Sequence, residues 1–338
     1  SGTSWGPKIS ELPNDATYGG NTDNEYTQKF GKQQGKYYVP QRAAAGLDPW
    51  ATPQAYDNAK DFFDTGITWS NSLNVAQMLD KSSYSISLGN THQDGIISST
   101  GMDRYNVKVS ADTKLTNNWS SGFTANYITT SIDKAVTSGN GLLRTVYAAP
   151  PSYDLAGIPS HVDGNPYTQN SFRGSFDNAY WAMDNNKFTE DTNRFFGNVY
   201  ASYQTDFGTT NHKLNAKYMV GVDAYTTHYV DSYGYGSNTG GGRGQIENYG
   251  WTNATYNSLL TINYDWRINE DWGLNAVLGN EIIQSNRRSI MNMVRTTTSR
   301  DGTTSTTPLL NRQRKRRGKT VQWDSSVTYR LLTKICFI

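Results

Sequence analysis

Polar and apolar residues alternate over long stretches of the chain, and the alternation predicts most of its elements. From Tyr105 the odd positions read Tyr105, Val107, Val109, Ala111, Thr113 and Leu115, and the even ones Asn106, Lys108, Ser110, Asp112 and Lys114. After Thr116-Asn117-Asn118 the pattern restarts as Trp119, Ser121, Phe123, Ala125, Tyr127 and Thr129. A period of two belongs to a strand with one wet and one apolar face, and the short interruption predicts a hairpin. Each strand runs to about 11–12 residues, against ~5–6 for soluble strands and ~9–11 for membrane-spanning ones. The same period marks Thr68–Met78 and Ser82–Asn90, then Phe195–Tyr203 and Leu214–Ala224. It returns in Tyr256–Ile268, Trp272–Leu278 and Val321–Tyr329.

Between these strands the chain is irregular. Residues 1–56, punctuated by Pro7, Pro13, Pro40, Pro49 and Pro53, read as a loop. Asp57–Phe63 reads either as a short helix ended by Gly66 or as a turn carrying Phe62 and Phe63. His92–Met102 reads as a connecting loop, and Ser131–Thr192 as a loop far longer than the ~4–6 residue median. After a short turn at Phe207–Asn211, a second long loop extends from Ala224 to about Ala254, including the glycine-rich run Gly236–Gly244. A short turn at Asn269–Asp271 precedes a third long segment, about Ser285 to Lys319. Short and long connections thus alternate, and Trp119, Tyr127, Tyr256, Trp266 and Trp272 sit near strand ends. Both features are those of a transmembrane β-barrel with short periplasmic turns, long external loops and aromatic girdles. The expected fold class is therefore all-β, an antiparallel transmembrane barrel segment. Thr116–Asn118 is expected to face the periplasm and Ser131 onward the cell exterior. Tyr105, Val107, Val109, Phe123 and Ala125 are expected to meet lipid, with Asn106, Lys108, Asp112 and Asn126 in the lumen.

Composition is compatible with that reading. Hydrophobic residues make up 36% of the 338 residues, and mean hydropathy is −0.69. No run approaches the ~18 apolar residues of a spanning helix, whereas a barrel's alternating strands and polar loops tolerate low hydropathy. A net charge of +2 points neither to nucleic acid nor to an anionic surface. Cys336, the single cysteine, excludes a disulfide within the chain. The start, SGTSWGPKIS, shows no export signal: either it has been removed, or the chain begins within a longer protein.

Several ordered stretches carry a resemblance to a known family: SWGPK, DNAKDFFDTGITWSNSLNV from Asp57, YSISLGNTHQDGIISSTGMDRYNVKVSADTKLTNNWS from Tyr84, and NYDWRINEDWGLNAVLGNE from Asn263. With them the chain resembles the SusC/RagA family of TonB-dependent outer-membrane transporters, from Trp5 to about Tyr329. The resemblance implies a plugged barrel, ~22-stranded in transporters of this type, of which about nine strands fall here. Residues 1–338 would then be part of the barrel domain, with plug and N-terminal extension outside this chain. It also implies TonB-energised import of oligosaccharides or peptides with a SusD-like surface lipoprotein, an outer-membrane setting among lipid and lipopolysaccharide, and no catalysis or cofactor. The ending RLLTKICFI departs from the alternation, as a truncated or shifted reading frame would, or as a barrel terminus with Phe337 next to last.

Little catalytic chemistry is legible. His92, His161, His212 and His228 form no H-E-x-x-H pair. His161 and Asp163 offer two metal ligands in what reads better as a solvated loop. The Gly236–Gly244 run lacks the G-K-[ST] ending of a phosphate loop. The basic run Arg312–Lys319 stands without interleaved aromatics, so a loop facing lipopolysaccharide is preferred to a nucleic-acid site. Tyr153, Tyr180 and Trp181 are the candidate substrate-stacking rings, and Lys108, Asp112, Lys217, Asp265 and Arg267 the candidate lumen-facing residues. The rival readings are a secreted β-rich carbohydrate-binding module or glycan-active enzyme, and an adhesin.

Overall fold

The computed structural model describes residues 6–135, 142–239, 241–295 and 320–337. Nine long strands form one sheet: β1 (Thr68–Met78), β2 (Ser82–Asp94), β3 (Gly101–Lys114), β4 (Trp119–Lys134), β5 (Lys187–Thr205), β6 (His212–Tyr233), β7 (Gln245–Arg267), β8 (Gly273–Arg295) and β9 (Thr320–Phe337). They lie in chain order, every neighbour antiparallel, so the sheet is a continuous meander. At one end the connections are 79–81, 115–118, 206–211 and 268–272; at the other they are 95–100, 135–186, 234–244 and 296–319. The sorting by length holds with one exception, since 95–100 is as short as 206–211.

The strands outrun the alternation that predicts them. The predicted loop at His92–Met102 contracts to 95–100, and the second long loop to 234–244, because β6 continues to Tyr233 and β7 begins at Gln245. β8 likewise continues to Arg295; the rest of the third long segment, with Arg312–Lys319, lies outside the described residues. β9 extends through the departure from alternation to Phe337.

Register places every apolar set on one face. Leu73 pairs with Leu88, Leu88 with Val107, Val107 with Tyr127 and Tyr127 with Phe195. Phe123 pairs with Val199, Val199 with Val220, and Tyr218 with Leu260. Directly opposed residues share a face, so this face is apolar from β1 to β8. It is also uncovered. Val75 is 58% exposed, Val199 53%, Tyr105 53% and Tyr256 49%. Among the described residues Phe188 is the one buried apolar side chain from the nine strands.

The apolar band runs obliquely to the hydrogen-bonded rows. One row passes from Tyr84 through Ala111, Phe123, Val199, Val220 and Ser258 to Ile282. Tyr84 lies at the short-turn edge of the band in β2, but Ile282 lies at its far edge in β8, where Gln284, Asn286 and Arg288 follow on the same face. Strands that lean across a band at constant height produce this drift. In β7 the band runs from Tyr256 to Trp266. Ten steps of ~3.3 Å give about 33 Å along the strand, or about 25 Å of height at the ~40° tilt of barrel strands.

The buried core lies outside the sheet. Leu12, Tyr37, Val39 and Phe62, before β1, cluster with Leu142, Val146, Tyr153, Leu155 and Trp181, between β4 and β5, and with Ile97 from the β2–β3 connection. The segment read as a plain loop, residues 1–56, is therefore packed where it is described. It contains a 3-10 turn at Ile9–Asn14, α1 (Glu25–Phe30), α2 (Pro40–Ala44) and a strand pair, Tyr37–Tyr38 with Trp50–Ala51. Asn24 starts α1 through a capping box with Thr27. Asp57 caps α3 (Asn58–Phe62), so the helix alternative holds there, although the helix ends at Phe63 and not Gly66. The β4–β5 connection carries α4 (Leu142–Ala148) and α5 (Ala179–Asn185). All of this stands at the long-connection end, as one outer unit.

Candidate functional site

The polar face of the sheet gathers the side chains that carry chemistry. Lys108 pairs with Asn126, Asp112 with Gly122, Lys217 with Ser202 and Asp265 with Asn275, and Arg267 follows Asp265 at the same parity. Register therefore sets all five candidate lumen-facing residues on this face.

Two of them are joined by a ring that alternation alone does not single out. Tyr200 Oη donates to Asp112 Oδ1 at 2.5 Å, across the intervening strand β4, and Lys217 Nζ lies 4.1 Å from the centre of the Tyr200 ring. The crossing depends on Gly122. A Cβ there would lie 2.2 Å from Asp112 Oδ1 and 2.7 Å from Tyr200 Cε1, closer than atoms can approach. Asp265 accepts from Asn263 Nδ2 at 3.1 Å and from Asn275 Nδ2. Arg267 is exposed at the short-turn end of β7.

Nearer the outer unit the polar face turns aromatic. Tyr229 and Tyr249 stack with centroids 4.8 Å apart and 6° between planes, and Trp251 lies 5.2 Å from Tyr229. Lys134 Nζ sits 4.4 Å above the Tyr229 ring and pairs with Glu190 at 2.9 Å. Tyr249 Oη donates to Asp231 Oδ2 at 3.1 Å, and the Arg287 guanidinium lies 5.3 Å from the Trp251 ring. One step along, Arg194 grips Asp223 through Nε at 2.8 Å and Nη2 at 2.6 Å, beside Phe196 at 4.9 Å. Both partners of that bidentate pair are well exposed, so it adds less than ~1 kcal/mol to stability. What it does is fix a planar cation and an anion side by side in an open wall. Stacked rings with charges of both signs can hold a ligand that offers apolar surface and hydrogen-bonding groups together. Sequence reading missed this cluster because most of it lies in the parts of β4 to β8 read as loop.

The three candidate stacking rings lie elsewhere. Trp181 is 1% exposed, and its Nε1 donates to the Pro166 carbonyl at 2.8 Å. Asn178 caps its helix, accepting from the Tyr180 and Trp181 amides. Tyr153 is 6% exposed against Phe172, and burial pushes its phenol up. Tyr180 is half-buried, edge-on to Phe62, with Oη donating to the Asp61 carbonyl at 3.2 Å. These rings hold the outer unit together, and the first two offer no open face to a ligand. Among the described residues no group of three His, Cys, Asp or Glu side chains is placed to hold a metal ion, and no helix is long and apolar enough to cross a membrane.

By sequence, no protein-family profile and no curated protein matches the chain. Solved structures do. The RagAB peptide importer in its 'closed-closed' state aligns over 84% of this chain, with a TM-score of 0.65 and 16% identity. The same importer in its 'open-open' state gives a TM-score of 0.64 at 14% identity. The fold is shared with an importer chain. This chain spans 31% of the length of the importer chains it matches, so the likeness is to a part of their fold.

Proposed function

We propose that the chain is a piece of the wall of a plugged outer-membrane β-barrel of the SusC/RagA type, with residues 1–338 belonging to the barrel domain. The observation that carries this is the apolar face. It is exposed from β1 to β8, extends about 33 Å along β7, a length that barrel tilt would reduce to the ~25 Å of a lipid-facing band, and drifts across the strands as barrel tilt requires. A soluble antiparallel sheet buries one face on a core, and the core of this chain sits at the end of the sheet instead. With lipid against the apolar face, the polar face with Lys108, Asp112, Lys217, Asp265 and Arg267 lines the lumen. The short turns then face the periplasm, and the outer unit stands outside among lipopolysaccharide.

The activity that follows is nutrient import, energised by TonB through a plug and shared with a SusD-like lipoprotein over the outer unit. Peptides or oligosaccharides are the cargo, and likeness to a peptide importer favours peptides. No catalytic role is assigned. The test is fractionation followed by uptake. The protein should stay in the outer-membrane fraction through high-salt washing and leave it with detergent, and its deletion should abolish uptake of a labelled oligopeptide or oligosaccharide pool. Release into the soluble fraction without detergent would overturn the barrel reading; unchanged uptake of both pools would overturn the import reading.

A further inference from the structure

One row of the sheet carries titratable side chains on the parity of the apolar face. His92 pairs with Asp103, Asp103 with Ser131, Ser131 with Asp191 and Asp191 with His228, from β2 to β6. In β3 the apolar band ends at Tyr105, two residues short of Asp103, so the row stands outside it at the long-connection end. At the β2 end of the row an imidazole lies between two carboxylates. His92 Nδ1 is 2.7 Å from Asp103 Oδ1, and Nε2 is 3.3 Å from Asp94 Oδ1. An ionised carboxylate only accepts, so both contacts are hydrogen bonds only when both ring nitrogens carry protons. The neutral ring has one N–H and must turn a lone pair toward one of the carboxylates. The bond to Asp103 first, and the charge of Asp94 after it, hold this imidazole above its usual ~6.5.

The other charged groups nearby are mostly acidic. β1 sets Trp69 opposite His92 and contains no titratable residue. β4 brings Asp133, opposite Gly101, and β5 brings Asp191 and Lys187 at the same parity. Asp191 accepts from Ser131 Oγ at 2.7 Å, and His228 Nε2 is bonded to Asn248 at 2.6 Å. Asp64, before β1, reaches the β2–β3 connection through its amide, which donates to the Ile96 carbonyl at 2.8 Å. That connection roots the outer unit in the sheet. The Asp94 amide donates to the Ile67 carbonyl and the Gly95 amide to the Thr100 carbonyl, each at 2.8 Å, and Ile97 enters the buried core. We propose that His92, with Asp94 and Asp103, is a pH-sensitive clasp that fastens the outer ends of β2 and β3 beneath this connection while protonated and lets them fray as pH rises. Its contribution is complete below ~6.5, where the imidazole is charged in the folded and the unfolded chain alike. It is lost as pH climbs through the raised folded value.

The clasp rests on the fold and not on the import reading. Amide exchange of the full protein in detergent micelles measures the fraying, read by mass spectrometry on peptides covering residues 94–101 and corrected for the intrinsic pH dependence of exchange. Protection in the wild type should fall about two- to fivefold between about pH 6 and about pH 9, the size expected of an exposed charge contact. His92→Gln should show no such fall, because its side chain does not titrate. His228→Gln, at the other end of the row, should keep the whole of it. Heat-modifiable migration in gels checks that each variant is folded. A wild type with constant protection, an equal fall in His92→Gln, or loss of the fall in His228→Gln would overturn the proposal.

Discussion

Placing one charge on either side of a single strand tests whether the apolar face meets lipid. In β5 the band runs from Phe195 to Tyr203, so Val199 is its middle residue, flanked in register by Phe123 and Val220 and 53% exposed. Asn198, one residue earlier, points to the polar face, beside Thr124 and Gly221. A one-residue shift changes the face and almost nothing else. If the band spans the hydrocarbon, Val199→Arg sets a cation near the midplane, at a cost of about 2–4 kcal/mol. That is roughly 30- to 1000-fold in the folding equilibrium. Asn198→Arg stays in water and should change stability by about 0.5 kcal/mol or less. Urea titration of the protein refolded into vesicles, read by heat-modifiable migration in gels, measures both. Equal destabilisation by the two variants, or a larger effect from Asn198→Arg, would refute the assignment of faces.

Three further outcomes follow from the packing. Gly122→Ala should lower stability by about 1–3 kcal/mol in the same titration, because its Cβ would part Tyr200 from Asp112; wild-type stability in that variant would mean the crossing contact is dispensable. Trp181→Ala should cost the outer unit about 3–5 kcal/mol and expose it to limited proteolysis, with the heat-modifiable sheet intact; unchanged protease resistance would contradict its place at the centre of the core. Burial pushes the Tyr37 phenol, which donates to the Ser152 carbonyl at 2.6 Å, up to about 12. The folded state then keeps its proton longer than the unfolded chain, whose phenol titrates at ~10. Its contribution is complete below pH ~10 and is lost as pH rises toward about 12. In the alkaline range protease resistance of the outer unit should therefore fall less steeply with pH in Tyr37→Phe than in the wild type, and equal slopes would dismiss it.

What was legible in the sequence is what lies at the height of the band. There one face is apolar and the other polar, so the residues alternate. Thr68–Met78 coincides with β1 for this reason, and the turn at Thr116–Asn118 lies where β3 gives way to β4. Beyond the band both faces are wet. Thr226, His228, Asn248 and Thr252 occupy the former apolar parity in β6 and β7, so the period vanishes while the hydrogen-bonded ladder continues. On both sides of the 234–244 connection, the apparent loop from Ala224 to Ala254 is strand made invisible by polarity. The site divides along the same line. Asp112 and Lys217 follow from parity, but Tyr200, Tyr229 and Trp251 are aromatics on the polar face, against the rule that places them. Trp181 and Tyr153 have the residue type of a stacking site, but their burial is set by tertiary packing that no local pattern records.

The arrangement of the core has a mechanical consequence for the outer end. Phe62 lies just before β1, Ile97 between β2 and β3, and Leu142 to Ala182 between β4 and β5, yet all share one cluster. The β6–β7 connection joins it through Ser237 and Asn238 on Asp177. Four successive outer segments are therefore tied to one another by buried contacts, whereas the short turns at the opposite end reach no further than the next strand, as Asn118 does to Gln204 and Asn211 to Arg267. A core packed at crystal-like density does not deform continuously, so displacing any one of these segments either displaces the rest or breaks the cluster. The aromatic wall around Tyr229 and Trp251 begins immediately beneath. On the proposed barrel reading, a ligand approaching it from the long-connection end would meet these segments as one body rather than as four independent flaps.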